Sequence, residues 1–429
     1  MRIGVFIDNR GISSVDCSNL LNGNPGIGGT AYSILLLCQV YHNTYPNDEV
    51  YIYATEVGTF PVVDQVEIIV DFLDALNAAS NDKVDLLLIR PVIDSKPMSD
   101  ELLEEISNKK VPIVTWAHNF YEADFAKKLA RNDSIIANVF VGKQEYDYYI
   151  DHEIIYKSCF IYNMYPMQDK KIREYNDGKT VTYIGSLVKP KGFHILAKAW
   201  KKVIRENPDA QLFVIGSGKL YSCDAKLGRF NIADDKYEKQ FMPYLLDDDG
   251  RLIPSVHFLG NLGVEKEEYI SRTSVGVVNP SGRTETFGIS ALDFESQGVP
   301  VVTIGYVGFL DTIKNGVTGL LYKRSNQIAS KIVELLHDNE MNEKFGKAAE
   351  KYVHAFEPNI IVKDWNRLFL DIVQNRKQKI KMPDDFYGAQ LKWMRILNRH
   401  IKNLIQNEKL PAVITIESKI KDILRRAHK

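Results

Sequence analysis

The chain is poor in the features that would assign it at a glance. Its four cysteines, Cys17, Cys38, Cys159 and Cys223, form no Cys-x-x-Cys pair. That spacing excludes a disulfide framework and the common zinc and redox motifs, and predicts free thiols in a reducing cytoplasm. No run approaches the roughly 18 uninterrupted apolar residues of a bilayer-crossing helix, so any membrane contact is expected to be peripheral. The opening segment MRIGVFIDNRG holds too short an apolar stretch for a secretory leader. Net charge is nearly absent as well, at −1, and nothing in that balance calls for a nucleic-acid partner.

What is present is bulk and alternation. A chain of 429 residues that is 45% hydrophobic exceeds a single core and predicts two domains. Seven short apolar runs between residues 3 and 162, and six more between 181 and 322, alternate with longer helical patterns. This is the signature of parallel sheets covered on both faces. The polar stretch PMQDKKIREYNDGK predicts a linker over 166–179, between a first domain at 1–165 and a second at 180–355.

The most telling segment is 275–302, VGVVNPSGRTETFGISALDFESQGVPVV. A buried strand over 275–278 ends in a Pro-Ser-Gly turn. Glu285 and Phe287-Gly288 then open an amphipathic helix that closes at Gly298, before a second apolar strand. An acid thus sits beside bare backbone N–H groups at a helix start. Those donors and the helix dipole suit an anion, and the carboxylate suits sugar hydroxyls, so the pair points to a sugar nucleotide. The segment resembles the retaining GT-B glycosyltransferases of family 4, the glycosyl transferases group 1. In that family Pro-Ser, Glu-x-Phe-Gly, a second acid eight residues on, Gly and Pro-Val-Val recur in this order. Here the second acid is Asp293, where the family usually carries Glu.

The resemblance implies an α/β fold of GT-B type: two Rossmann-like, doubly wound parallel-sheet domains with an interdomain cleft at the carboxyl ends of their strands. It extends to other motifs. Gly26-Ile27-Gly28-Gly29-Thr30 precedes a helical pattern over 31–45, and the family's loop here faces the donor diphosphate. A dinucleotide-binding turn fits less well, because about twenty residues separate the loop from the first strand and Ala31 replaces the last glycine. His118 ends an apolar strand; in isolation it reads as a hydrogen-bonded structural residue, and in the family the matching His contacts the donor sugar. In the second domain Gly185-Ser186-Leu187 and Lys191-Gly192 match a Gly-Arg-Leu and Lys-Gly pattern, with Ser186 standing where Arg is expected.

The segment 219–256 reads as a polar insertion on the cleft side, and its Lys219 and Arg229 are candidates for the missing guanidinium. Asp247-Asp248-Asp249-Gly250 lacks the spaced ligands of a calcium loop and reads as a turn. Residues 305–308 and 315–321 match the family's glycine-rich loop against the donor, and a last helix within 356–375 returns to the first domain.

Carried over residue by residue, the resemblance implies catalytic roles for Glu285, Lys191 and His118. It implies donor binding by Gly28, Gly29, Ser186, Thr286, Phe287, Gly288, Ile289 and Asp293, and it implies no metal and no cofactor. Glu285 orients sugar hydroxyls and Asp293 holds the ribose. Lys191 and the backbone donors near Gly28, Gly29 and 287–289 stabilise the departing diphosphate. The expected function is transfer of a sugar from a nucleoside diphosphate sugar to a glycan or lipid-linked acceptor in cell-envelope polysaccharide biosynthesis. The rivals are a non-catalytic binding protein and a sugar-nucleotide epimerase or hydrolase.

Beyond residue 375 the composition shifts. The last 54 residues hold 14 Lys or Arg against 5 Asp or Glu, about +9, which leaves the rest of the chain acidic. Over 391–405, Lys392, Arg395, Arg399 and Lys402 share one helical face, and Leu391, Met394, Leu397, Ile401, Leu404 and Ile405 the opposite one. The expectation is that the apolar face docks on the protein's own body or a second subunit. The rival is a peripheral helix on the anionic inner leaflet, close to lipid-linked acceptors.

Overall fold

The computed structural model describes every residue except 94–95, 168–171, 174–175, 219–225, 387, 389 and 428–429. The chain divides into two compact units, one of residues 1–21, 29–164 and 358–429, the other of 22–28 and 165–357.

In the first unit, β1 (Arg2–Ile7), β2 (Glu49–Ala54), β3 (Gln65–Ile68) and β4 (Leu86–Ile89) are followed by a small antiparallel pair, β5 (Val92–Ile93) with β6 (Lys96–Pro97). Then come β7 (Ile113–Ala117), β8 (Ile135–Phe140) and β9 (Ser158–Phe160). Seven of these strands form one sheet in the order β3-β2-β1-β4-β7-β8-β9, parallel throughout. Its central strands are buried along their whole length, as β4 and β7 show. That is why they read as unbroken apolar runs and not as alternating ones. The Pro358–Val373 helix packs in this unit, with Trp365 edge-on to Trp116 at 4.6 Å and Tyr41 donating to Asn366 at 2.8 Å. An aromatic pair of this kind contributes about 0.5–1.5 kcal/mol beyond its buried area.

The second unit holds β10 (Thr180–Ile184), β11 (Gln211–Ile215), β12 (Val256–Gly260), β13 (Val275–Val278), β14 (Val301–Ile304) and β15 (Gly319–Tyr322). They form a parallel sheet in the order β12-β11-β10-β13-β14-β15. The strand order reverses between β10 and β13, and in the first unit between β1 and β4, so each sheet is doubly wound about one switch point.

The described part of the polar segment after Gly218 packs inward: its Asp235–Phe241 helix delivers Tyr237 and Phe241 to the unit's core, and Glu238 is buried while accepting the amides of Phe230, Ile232 and Ala233. Burial of one carboxylate is what lets a polar stretch fold inward, since it satisfies three backbone donors at once. Asp247 to Gly250 is a turn closed by the Asp247 carboxylate on the amides of Asp249 and Arg251.

The tail overturns one expectation. The Lys392–Ile405 helix docks by its basic face: Lys392, Arg395, Arg399 and Lys402 are buried, whereas Leu391, Leu397, Ile401, Leu404 and Ile405 are exposed. Docking of the apolar face on the chain's own body is what fails, because that face stands outward. The reason lies in the short Lys143–Tyr148 helix, whose chain continues through Ile150, Asp151 and His152. Arg399 Nε donates to the Ile150 carbonyl (2.8 Å) and Lys402 Nζ to the Asp151 carbonyl (2.6 Å). These buried carbonyls follow the helix and need donors, which the two cations supply.

Candidate functional site

The second unit's switch point brings together two of the predicted residues, Lys191 and Glu285. Lys191 follows β10 and Glu285 follows β13, and the two loops touch. Gly192 makes the approach feasible: its φ is +72°, and a Cβ there would lie 2.6 Å from the Ser281 amide nitrogen. Only glycine tolerates both the left-handed backbone and that contact. Ser281 Oγ also donates to the Pro190 carbonyl, fastening the turn to the Lys191 loop.

Lys191 Nζ then lies 2.8 Å from Glu285 Oε2, and both side chains are mostly buried, 18% and 14% exposed. Asn279 Nδ2 donates to the same oxygen at 3.1 Å, and Glu285 Oε1 accepts the Gly288 amide at 3.1 Å. Asn279, Thr284 and Val307 adopt positive φ (30°, 60° and 32°) within or against this turn. Strained backbone of this kind, gathered round one carboxylate, is characteristic of functional loops.

The geometry corrects one expectation. The amides at the helix start are not bare: the Gly288 amide caps onto Glu285, and the Phe287 amide lies under Gly308, where a Cβ would come within 2.4 Å. A carboxylate three residues upstream is a ready acceptor for a first-turn amide, so it takes the donor that sequence left open. The helix itself is short, Ile289–Glu295, and its closing turn ends at Gly298, where φ is +72° and the Val299 amide donates to the Phe294 carbonyl at 3.1 Å.

Phe287 is buried edge-on to Phe356 at 5.4 Å, Thr286 is buried beside it, and Ile289 is half-buried. Asp293 is held by Lys266 Nζ (2.7 Å) and the Tyr165 hydroxyl (3.0 Å). Sequence reading missed Lys266, because nothing local marks a lysine 27 positions upstream as a partner. Ser186 is buried and its carbonyl accepts the Val188 amide at 3.0 Å, so no cation occupies the position where Arg is expected. Lys219 lies outside the described residues. Arg229 rests over the Phe230 ring, 5.4 Å from its centroid. Arg283, which sequence reading passed over, is exposed on the Glu285 turn itself. After burial, the charges of Lys189 and Arg283 are what lower the His194 pKa.

In the first unit, Gly29 begins the Gly29–Thr44 helix. A Cβ built there, or at Gly28 in the second unit, would meet no atom within 4 Å, whereas Gly26 has φ +98°. The switch point between β1 and β4 opens into a cavity of about 440 Å³ whose lining includes Asp8, Arg10, Thr30 and Arg90. Arg10 Nε donates to Asp8 at 2.8 Å. Burial lowers the Arg90 pKa, and its Nε has no partner among the described residues. His118 follows β7, buried with its ring 4.6 Å from Trp116. Burial, helped by the Arg90 charge, pushes its pKa down to about 3. The imidazole is therefore neutral at physiological pH, able to hydrogen-bond but not to act as an imidazolium acid.

Two doubly wound units, one carrying a Lys–Glu pair at its switch point, invite comparison with known proteins. Residues 164–352 match the glycosyl transferases group 1 family. This stretch is similar to a glycosyl transferases group 1 domain. The capsular polysaccharide biosynthesis glycosyltransferase CapM of Staphylococcus aureus is 26% identical over 220 residues, 50% of this chain and 51% of CapM. The phosphatidyl-myo-inositol mannosyltransferase of Mycobacterium tuberculosis is 23% identical over 199 residues, 45% of this chain and 47% of that one. The chain thus spans about half the length of these curated relatives. Among solved structures, Anabaena HepE in complex with UDP-glucose superposes with a TM-score of 0.63 at 14% identity, covering 86% of this chain and all of HepE. The fold is GT-B.

Proposed function

We propose that the chain is a retaining glycosyltransferase that moves a hexose-like sugar from a nucleoside diphosphate donor to a glycan or lipid-linked glycan. In this reading it works on the cytoplasmic side of cell-envelope polysaccharide assembly and needs no metal. The observation that carries the proposal is the contact of Lys191 with Glu285 at the β10/β13 switch point. A nucleoside diphosphate sugar places an anion and a set of hydroxyls on either side of one C1–O bond. A cation and a carboxylate 2.8 Å apart match that junction, with Lys191 turned to the diphosphate and Glu285 to the sugar.

As the C1–O bond breaks, charge grows on the diphosphate, and the Lys191 ammonium, already positioned, stabilises it without reorganisation. Exposed Arg283, on the same turn, supplies the guanidinium that Ser186 does not. Backbone donors at Gly28 and Gly29 add to the anion site. Glu285, fixed by Asn279 and the Gly288 amide, holds the sugar hydroxyls while positive charge develops on the ring. Asp293, held by Lys266, takes the ribose. The acceptor attacks from the face the diphosphate leaves, and a phosphate oxygen takes its proton, so the chemistry calls on no side chain as a covalent nucleophile. Neutral His118 fits a hydrogen bond to a sugar hydroxyl. The first unit's cavity, with Arg10 and Arg90 at its wall, suits an acceptor rich in hydroxyls with negative charge nearby. The uses of CapM and the mannosyltransferase, in capsule and glycolipid synthesis by their names, support an envelope acceptor.

The test is a panel of nucleoside diphosphate sugars read by thermal stabilisation, where a ligand at 100 times its Kd adds about 2.7 kcal/mol. Product analysis by NMR follows with the donor that binds. Release of nucleoside diphosphate coupled to a product of unchanged anomeric configuration is expected; an inverted product removes the retaining mechanism, and binding without turnover on any acceptor removes the enzyme.

A further inference from the structure

Between Phe386 and Leu424 eleven large apolar side chains stand exposed among the described residues. A monomeric surface scatters such residues singly; a contiguous set marks an interaction face. Trp393, Leu397, Ile401 and Leu404 recur at helical spacing on the Lys392–Ile405 helix, and Leu404 is 85% exposed. Ile416, Ile420, Ile423 and Leu424 repeat the same spacing on the Val413–Ala427 helix, which packs against it. Both stripes therefore leave an apolar face outward.

This orientation is locked. Arg395 donates to the Gln390 carbonyl and to Glu417, both at 2.8 Å, with its guanidinium 3.9 Å from the Tyr148 ring centroid. Arg399 binds the Ile150 carbonyl, the Tyr156 hydroxyl (2.9 Å) and Glu408 (2.7 Å). Lys392 pairs with Asp147 at 2.7 Å and Asp385 at 2.8 Å. Turning the apolar stripe inward would strand these buried charges, which is far costlier than leaving leucines in water.

From this we infer that the two helices form a lipid-docking face, laid flat on an anionic membrane with the Trp393 and Ile423 stripes in the acyl boundary. The charge around the stripes selects this occupant. The exposed cations Lys419, Lys421 and Arg425 flank the Ile416 to Leu424 stripe against one exposed acid, Asp422. A second copy docked by a twofold axis would bring that basic rim onto itself, whereas anionic headgroups complement it. The four basic residues that would ordinarily meet the headgroups are spent on holding the helix, so the apolar stripes supply the main contact. This docking face stands apart from the transferase reading and holds whether or not the chain turns over a donor.

The full chain offers its own reporter. Of four tryptophans, Trp116, Trp200 and Trp365 are buried and Trp393 is 54% exposed. Vesicles of phosphatidylglycerol and phosphatidylcholine added to the full chain should shift its emission to the blue, and Trp393→Phe should remove the shift. The triple variant Leu397→Gln, Leu404→Gln, Ile423→Gln changes exposed positions only. It should keep the unfolding midpoint while its apparent vesicle affinity falls at least tenfold. Wild type that fails to co-sediment with these vesicles at low salt overturns the inference. So does a wild-type dimer that the triple variant converts to monomer without change in vesicle binding, because the face then belongs to a second copy.

Discussion

Lys191 and Arg399 are both cations that meet a carboxylate at under 3 Å, yet they belong to opposite kinds of structure. Lys191 sits on a loop at the carboxyl end of a strand, in contact with the Glu285 carboxylate, 18% exposed, beside strained turns. Arg399 sits mid-helix with no exposure, tied to a carbonyl, a phenol and a carboxylate. A cation proposed to meet a ligand must stay reachable and stand next to a group the same ligand needs. A cation kept for the fold is saturated with acceptors and sealed. The lesson is that positive charge in a sequence carries no role until its acceptors are known.

The comparison breaks first at Arg399. Arg399→Ala leaves the buried Ile150 carbonyl without its donor and Glu408 with the Tyr156 hydroxyl as donor, and should cost about 1–3 kcal/mol of stability, the usual penalty for an unsatisfied buried polar group. Urea unfolding of the full chain measures it, and a loss below about 1 kcal/mol would put Arg399 among surface charges. Lys191→Ala should do the reverse: kcat falls roughly 10²- to 10³-fold, the scale for removing one transition-state donor, with little change in unfolding. Near-native turnover in that variant would detach Lys191 from the leaving group.

A pH titration of stability sharpens the contrast for groups whose pKa burial shifts. The His118 pKa is depressed to about 3, so protons favour the unfolded chain. Its stability contribution is present above the unfolded value near 6.5 and is lost as pH falls through the window from 6.5 to 3. The slope from this group is roughly 1.4 kcal/mol per pH unit, and His118→Gln should remove it. Glu295 works in the opposite sense: burial raises its pKa well above the carboxylate range. Its contribution is greatest at acid pH and declines as pH rises above the unfolded value near 4.5. Glu295→Gln should therefore raise the Tm by several degrees at pH 7, with the gain vanishing near pH 4; an unchanged Tm at pH 7 would mean that the carboxyl ionises in place.

The smallest effect separates the two acids of the candidate site. Asp293→Ala should weaken binding of the free nucleoside diphosphate about tenfold, near 1.4 kcal/mol. Glu285→Gln should cut transfer yet leave that affinity nearly intact. Calorimetry with the diphosphate alone distinguishes them, and equal losses would merge their roles.

The division between local and tertiary information follows from these residues. Sequence alone determined the parallel sheets, because fully buried strands need unbroken apolar runs and β13 and β7 have them. It also singled out the Pro-Lys-Gly and Glu-x-Phe-Gly loops, each of which sets a charged residue beside a glycine within a few adjacent positions. Tertiary structure alone decided what each charge meets. The Lys191–Glu285 contact, the Lys266–Asp293 pair and the capping of Gly288 each depend on where a second segment folds. Most of all, it decided which face of the Lys392–Ile405 helix turns inward. Periodicity places basic and apolar residues on opposite sides, but the acceptors that draw the basic side in are backbone carbonyls some 250 positions away. Every residue carries such a carbonyl, so no side-chain pattern marks the few left without a donor, and only the folded chain shows which they are.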